Sequence, residues 1–82
     1  MFQSAIDARN RGDDRRAIEL FGGLLARFPK GQLAEVARVE RMRALRRVGD
    51  GTRASAEARR YLSEYGSGFA REEAREAALG DK

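Results

Sequence analysis

Gly12-Asp13-Asp14-Arg15-Arg16-Ala17-Ile18-Glu19-Leu20-Phe21, running on to Leu24-Leu25-Ala26-Arg27-Phe28-Pro29, is the stretch whose reading decides the fold. Gly12 can take the left-handed backbone conformation that stops a helix. Asp13 then offers a carboxylate to the free N–H groups that open the next helix, at the positive end of its dipole. Ala17, Ile18, Phe21, Leu24, Leu25 and Phe28 fall on one face of that helix, and Pro29 ends it. A weaker copy follows. Gly49-Asp50, Ala54, Leu62, Tyr65 and Gly68 stand 37 positions after Gly12-Asp13, Ala17, Leu25, Phe28 and Gly31, a spacing typical of stacked helical repeats.

Working outward, the spacing predicts helices over residues 2–11, 14–28, 32–48, 52–65 and 69–79. The first carries Phe2, Ala5, Ile6 and the stem of Arg9 on one stripe. The third is the longest, with Leu33, Ala34, Ala37, Met42, Ala44, Leu45 and Val48 as core positions and Val36 and Val39 widening the apolar surface. Such a helix is expected to lie between neighbours. Asp50 or Thr52 caps the fourth, which offers Ala54, Ala58, Tyr61, Leu62 and Tyr65. The last carries Phe69, Ala70, Glu73, Ala74, Ala77 and Ala78. Gly22-Gly23, inside the second helix, reads either as close backbone approach by a neighbouring helix or as a kink. No run alternates β-branched and polar residues, so strands are not expected. The expected fold is all-α: one domain over 1–82, with one helix pair over 2–29, a second over 32–65 and a capping helix over 69–79.

At 82 residues the chain holds one domain near the small end of what folds alone. It contains neither cysteine nor histidine, which removes disulfides, thiolate metal sites and the commonest general base. The net charge of +4 is almost all arginine, since Lys30 and Lys82 are the only lysines. The Arg/Ala-rich composition suggests a bacterial source. No stretch of 18 apolar residues occurs, so no membrane span is expected. The start Met1-Phe2-Gln3-Ser4 does not read as a signal peptide. The compartment stays open between cytoplasm and periplasm.

Gly12-Asp13, Ala17, Phe21 and Pro29, followed by Phe28-Pro29-x-Gly31-x-Leu33-Ala34-x-x-Ala37, resemble a tetratricopeptide repeat (TPR), with a likeness to the subtype of bacterial outer-membrane assembly lipoproteins and cell-division coordinators. The likeness spans residues 2–79. It implies a right-handed stack of antiparallel hairpins, two repeats plus a C-terminal cap, with the first helix of each hairpin lining a concave groove. The second repeat departs from the pattern: Gly66 replaces the proline and Ala58 the aromatic, while Arg38 and Arg41 occupy places where large apolar residues usually pack.

The resemblance implies a non-catalytic module that binds a protein or peptide, within a larger bacterial regulatory or envelope-associated protein. By that correspondence Phe2, Ile6, Arg9 and Asn10, with Val36, Val39, Arg43, Arg46 and Arg47, face the groove. Arg9, Asn10, Val39, Arg43, Arg46 and Arg47 are the candidate partner-binding residues. Arginine forks suit carboxylates, so an acidic partner is one expectation. The alternative is that Arg43, Arg46 and Arg47 only solvate a helix end favourable to cations. Homo-oligomerisation through the ends of the stack is a further alternative. Nucleic acid is disfavoured, because no aromatic side chain interleaves the arginines. Catalysis is not expected: Asp13-Asp14 and Glu72-Glu73 do not converge, and Gly49-Asp50-Gly51 and Gly66-Ser67-Gly68 lack the Lys-Ser/Thr of a phosphate loop. No cofactor is implied.

Overall fold

The architecture starts from two pairs of equivalent caps. Gly12 and Gly49 have φ of 80° and 82°, the left-handed region that glycine enters without strain. Around each, the chain closes the same two bonds. Gly12 N–H donates to Arg9 O and Asp13 N–H to Ala8 O; Gly49 N–H donates to Arg46 O and Asp50 N–H to Leu45 O. This is a Schellman ending, which satisfies the last carbonyls of one helix while turning the chain. Asp13 and Asp50 then cap the next helix, accepting from Arg16 N at 3.3 Å and Arg53 N at 3.1 Å.

In this computed structural model, which describes residues 1–80, five α-helices result. They are α1 (Phe2–Asn10), α2 (Asp14–Arg27), α3 (Ala34–Arg47), α4 (Gly51–Glu64) and α5 (Arg71–Leu79). No strand occurs among the described residues. Each helix packs on the one that follows it in the chain, within a body of 29 × 26 × 18 Å. The all-helical expectation and the element order hold, and Asp50 rather than Thr52 is the cap of α4.

Differences lie at the boundaries. Helix α3 starts at Ala34, after a turn in which Ala34 N–H donates to Gly31 O, and α5 starts at Arg71, after the equivalent bond from Arg71 N–H to Gly68 O. Residues 32–33 and 69–70, read as helical, therefore belong to turns. Phe28 and Leu33, expected in the core, are 51% and 44% exposed. Helix α2 runs through Gly22-Gly23 without a break.

The core is three apolar groups, and α3 supplies all of them. Ala34 and Ala37 join Ala5, Ala8, Ala17, Phe21, Leu24 and Leu25. Val39 and Met42 join Ala58, Tyr61, Ala70, Ala74 and Ala77. Ala44 and Leu45 join Ile18 and Ala54. The two-sided apolar surface of α3 thus has the sandwiched position its sequence predicts. Phe2 meets Phe21 edge-on at 6.0 Å between ring centroids, a favoured aromatic geometry.

Candidate partner-binding surface

Most of the candidate residues lie along α1, α3 and the end of α3 that faces α5, where they are engaged in ion pairs. Arg9 of α1 reaches Glu40 of α3 at 3.1 Å. Glu40 also holds Arg43 at 3.3 Å, and Arg43 grips Glu73 of α5 with two parallel bonds of 2.8 and 2.7 Å. Arg46 lies 3.8 Å from Glu76, and Arg47 pairs with Asp14 of α2 at 2.9 Å. The Arg43 fork holds the Glu73 carboxyl below its ordinary pKa, and Glu73 in turn raises that of Arg43. Asn10 accepts two bonds from the neighbouring Arg9.

These contacts change what the face can do. Arg43, Arg46 and Arg47, with Glu73, line a shallow hollow of about 300 Å³, yet each of the three arginines already has a carboxylate partner. The surface is a ladder of paired charges joining α1, α3 and α5. Val39 is a correction. It is 1% exposed, packed with Met42, Ala58 and Tyr61, so it belongs to the core and not to a groove floor. Phe2, Ile6 and Val36 are half-buried.

Arg38 and Arg41 carry the largest departure from an apolar pattern. Both point inward to Glu57 of α4: Arg38 Nη1 to Glu57 Oε2 is 2.7 Å and Arg41 Nη1 to Glu57 Oε1 is 2.9 Å. Arg41 Nε also donates to Ile18 O at 3.4 Å. Arg38 is 6% exposed and Glu57 8%. Arg38 Nε makes no hydrogen bond and lies 3.8 Å from the Glu64 carboxylate. A Cβ at Gly22 would sit 3.2 Å from Arg41 Nε, so this glycine makes room for a side chain, not for a neighbouring backbone.

An apolar hollow lies at one edge of the fold. Met1, Phe2, Leu24, Phe28, Gly31, Gln32, Leu33 and Ala34 enclose a notch of about 360 Å³ where the start of α1 meets the end of α2 and the start of α3. The sequence signal for it was the pair Phe28 and Leu33, both placed in the core by helical spacing alone. By contrast, the exposed faces of the terminal helices are polar: Gln3, Ser4, Asp7 and Asn10 on α1, and Arg71, Glu72, Arg75 and Glu76 on α5, where Leu79 is the apolar exception. Stacking copies through these helices would bury charge, which costs more than it returns unless every charge is paired.

Among the described residues, no helix is long and apolar enough to cross a membrane. No protein-family model matches the chain, and neither a curated protein nor a solved structure matches it.

Proposed function

We propose that this chain is a non-catalytic protein–protein interaction module: a TPR-like scaffold of two helix-hairpin repeats with a C-terminal capping helix, acting within a larger bacterial regulatory or envelope-associated protein. The observation that carries the reading is the recurrence of one unit, cap for cap, at a 37-residue interval. Phe28 N–H donates to Leu24 O as Tyr65 N–H does to Tyr61 O, and Gly31 N–H to Phe28 O as Gly68 N–H to Tyr65 O. Repeating helical units present rigid surfaces, and their usual use is binding. The ladder through Glu40, Arg43 and Glu73 holds the first helices of successive units in fixed relation, which suits a preorganised surface. The α5 exposed face has the polar character of a cap.

The experiment is selection of peptides from a random display library on the purified chain, with an unrelated helical protein as control. Enrichment of a convergent motif, followed by measurable affinity of that peptide in solution, is the expected result. Enrichment no better than on the control overturns the reading.

A further inference from the structure

We infer that the hollow between the end of α2 and the facing sides of α3 and α4 is a carboxylate-binding site, where Arg38, Arg41 and Arg60 receive the carboxylate of a partner peptide beside an apolar wall. This rests on the interaction-module reading and gives it a site and a ligand class.

The hollow measures about 260 Å³ and has two unlike walls. One is apolar, made by Leu25 and Ala26 of α2 with Pro29 just beyond it. The other is charged: Arg38 and Arg41 of α3, with Glu57 and Arg60 of α4. Glu57 is shared, accepting from Arg38 at Oε2 and from Arg41 at Oε1. Glu64 is shared too, 3.4 Å from Arg60 Nε and 3.8 Å from Arg38 Nε. No other carboxylate pairs with these three arginines among the described residues. Three guanidinium groups therefore meet two carboxylates, and one positive charge is left in excess where burial makes it costly.

Donors are left over as well. Arg38 and Arg41 each give Nη1 to Glu57, and Arg41 gives Nε to Ile18 O, while their Nη2 groups make no hydrogen bond among the described residues. Arg60 engages Glu64 through Nε alone. An anion in the hollow supplies the missing charge and the missing acceptors together. A single excess charge suits a monoanion better than a phosphate dianion, and the planar edge of a guanidinium matches a carboxylate. Room is kept for these side chains, since a Cβ on Gly22 would stand 3.2 Å from Arg41 Nε. In the first unit Met1, Ser4, Leu20 and Gly23 occupy the places of Arg38, Arg41, Glu57 and Arg60, so the charged wall belongs to this one position in the stack.

The apolar wall decides what carries the carboxylate. A phosphodiester is also a monoanion, but among the described residues no aromatic lines the hollow to stack a base. A peptide brings an aliphatic side chain next to its terminal or side-chain carboxylate, and Leu25, Ala26 and Pro29 accept it.

The probes are acetyl-Leu-Leu with a free C-terminus, its C-terminal amide, and acetyl-Glu-Leu amide. Each is titrated into the isotope-labelled chain in low-chloride buffer, and arginine Nε–H and backbone amide signals report the site. Expected are saturable shifts at Gly22, Ala26, Arg41 and Arg60 with a carboxylate peptide, and a response to the uncharged amide weaker by roughly tenfold or more. Whichever carboxylate peptide binds tighter identifies a terminal or a side-chain source. Arg60→Ala removes the excess charge from the exposed rim and should weaken binding about three- to tenfold. Replacing Arg38, Arg41 and Glu57 together by apolar residues of similar volume should abolish binding, with circular dichroism checking the fold; Arg60→Ala decides if that variant does not fold. Arg75→Ala, on α5, leaves affinity unchanged. Equal response to the amide, insensitivity to Arg60→Ala, binding retained by the folded triple variant, no saturable shift at millimolar peptide, or tighter binding of inorganic phosphate or of an oligothymidylate would each overturn the inference. A peptide motif convergent in display whose shifts fall elsewhere on the chain would overturn this site while leaving the interaction module standing.

Discussion

The interior between α1, α2 and the start of α3 and the interior between α3 and α4 share one backbone frame and are filled by opposite chemistry. The first is hydrocarbon: Phe21, Leu24 and Leu25 among alanines. The second mixes Met42 and Tyr61 with an Arg38–Glu57–Arg41 triad and a Glu35–Tyr61–Ala70 chain of hydrogen bonds. The cap angles barely differ: Asp13 has φ −90° and ψ 72°, Asp50 φ −89° and ψ 73°. Caps and turns therefore set where the helices go, and the filling between them is negotiable. Its energetics are not equivalent, however. Apolar filling is stabilised by removal of surface from water, whereas a buried triad only offsets the desolvation of its own charges.

The largest effects should come from breaking each filling. Glu57→Ala leaves Arg38 and Arg41 without their shared carboxylate and should cost about 3–5 kcal/mol in denaturant unfolding. Phe21→Ala, in the apolar interior, should cost about the same through lost burial and a cavity. The two regions part in the compensated variant. Replacing Arg38, Arg41 and Glu57 together by apolar residues of similar volume should return stability to within about 1–2 kcal/mol of the parent, or above it. A loss as large as that of Glu57→Ala alone would show that the triad contributes more than mutual neutralisation.

This contrast also explains what could be read in advance. The helices were legible because Gly12, Asp13, Gly49 and Asp50 act locally, through angles and bonds within six residues of chain. The triad was not, since Glu57 lies 19 positions from Arg38 and 16 from Arg41. A signal existed in the places where the echo fails. Glu57 stands at the counterpart of Leu20, Arg38 at that of Met1 and Arg41 at that of Ser4, so opposite charges enter the second unit together. The candidate arginines of α3 were located on the right helix, but their partners Glu73, Glu76 and Asp14 come from other helices and are invisible to the periodicity of one. Phe28 and Leu33 misled for another reason: helical spacing says which side a residue faces, not whether anything lies there.

Two glycines sharpen the comparison at the next level. A Cβ at Gly68 would collide with the Tyr61 hydroxyl and the Glu35 carboxylate, both fixed in their hydrogen-bonded chain. Gly68→Ala should cost about 1–3 kcal/mol as overpacking. At the counterpart Gly31 the nearest atoms outside the adjoining residues are Phe28 Cβ at 3.3 Å and Phe28 O at 3.5 Å, a tight approach that a shift of a few tenths of an ångström relieves. Gly31→Ala should cost below about 1 kcal/mol. Equal losses at both would mean that the polar chain around Tyr61 is softer than its geometry implies.

The caps should give smaller and matched effects. Asp13→Ala and Asp50→Ala each remove one carboxylate acceptor from a helix start, for about 1 kcal/mol apiece. Restoration by Asn or Ser at either site, read from the same unfolding curves, would assign the loss to the hydrogen bond rather than to charge.

The smallest effects are in pH, and they fall at opposite ends of the scale. Burial first, then the bond to Glu35, raises the Tyr61 pKa in the folded chain. Its contribution is complete below the ordinary tyrosine value of about 10 and fades as pH rises through the folded one. Tyr61→Phe should flatten that alkaline limb, whereas the first interior, with Leu24 in the same place, has no such limb. Glu73 runs the other way. The Arg43 fork lowers its pKa, so its contribution is complete above the ordinary glutamate value of about 4.3 and is lost as pH falls through the folded one. Both members of that pair are about one-third exposed, which limits the effect to roughly 0.5–1 kcal/mol and makes it sensitive to salt. Glu73→Gln should therefore flatten the acid limb of stability at low ionic strength and change little in high salt. An acid limb untouched by Glu73→Gln would separate α5 from Arg43 and leave the packing of Ala74 and Ala77, with the bond that Ser55 Oγ donates to Ala78 O, as the main hold of α5 on the core.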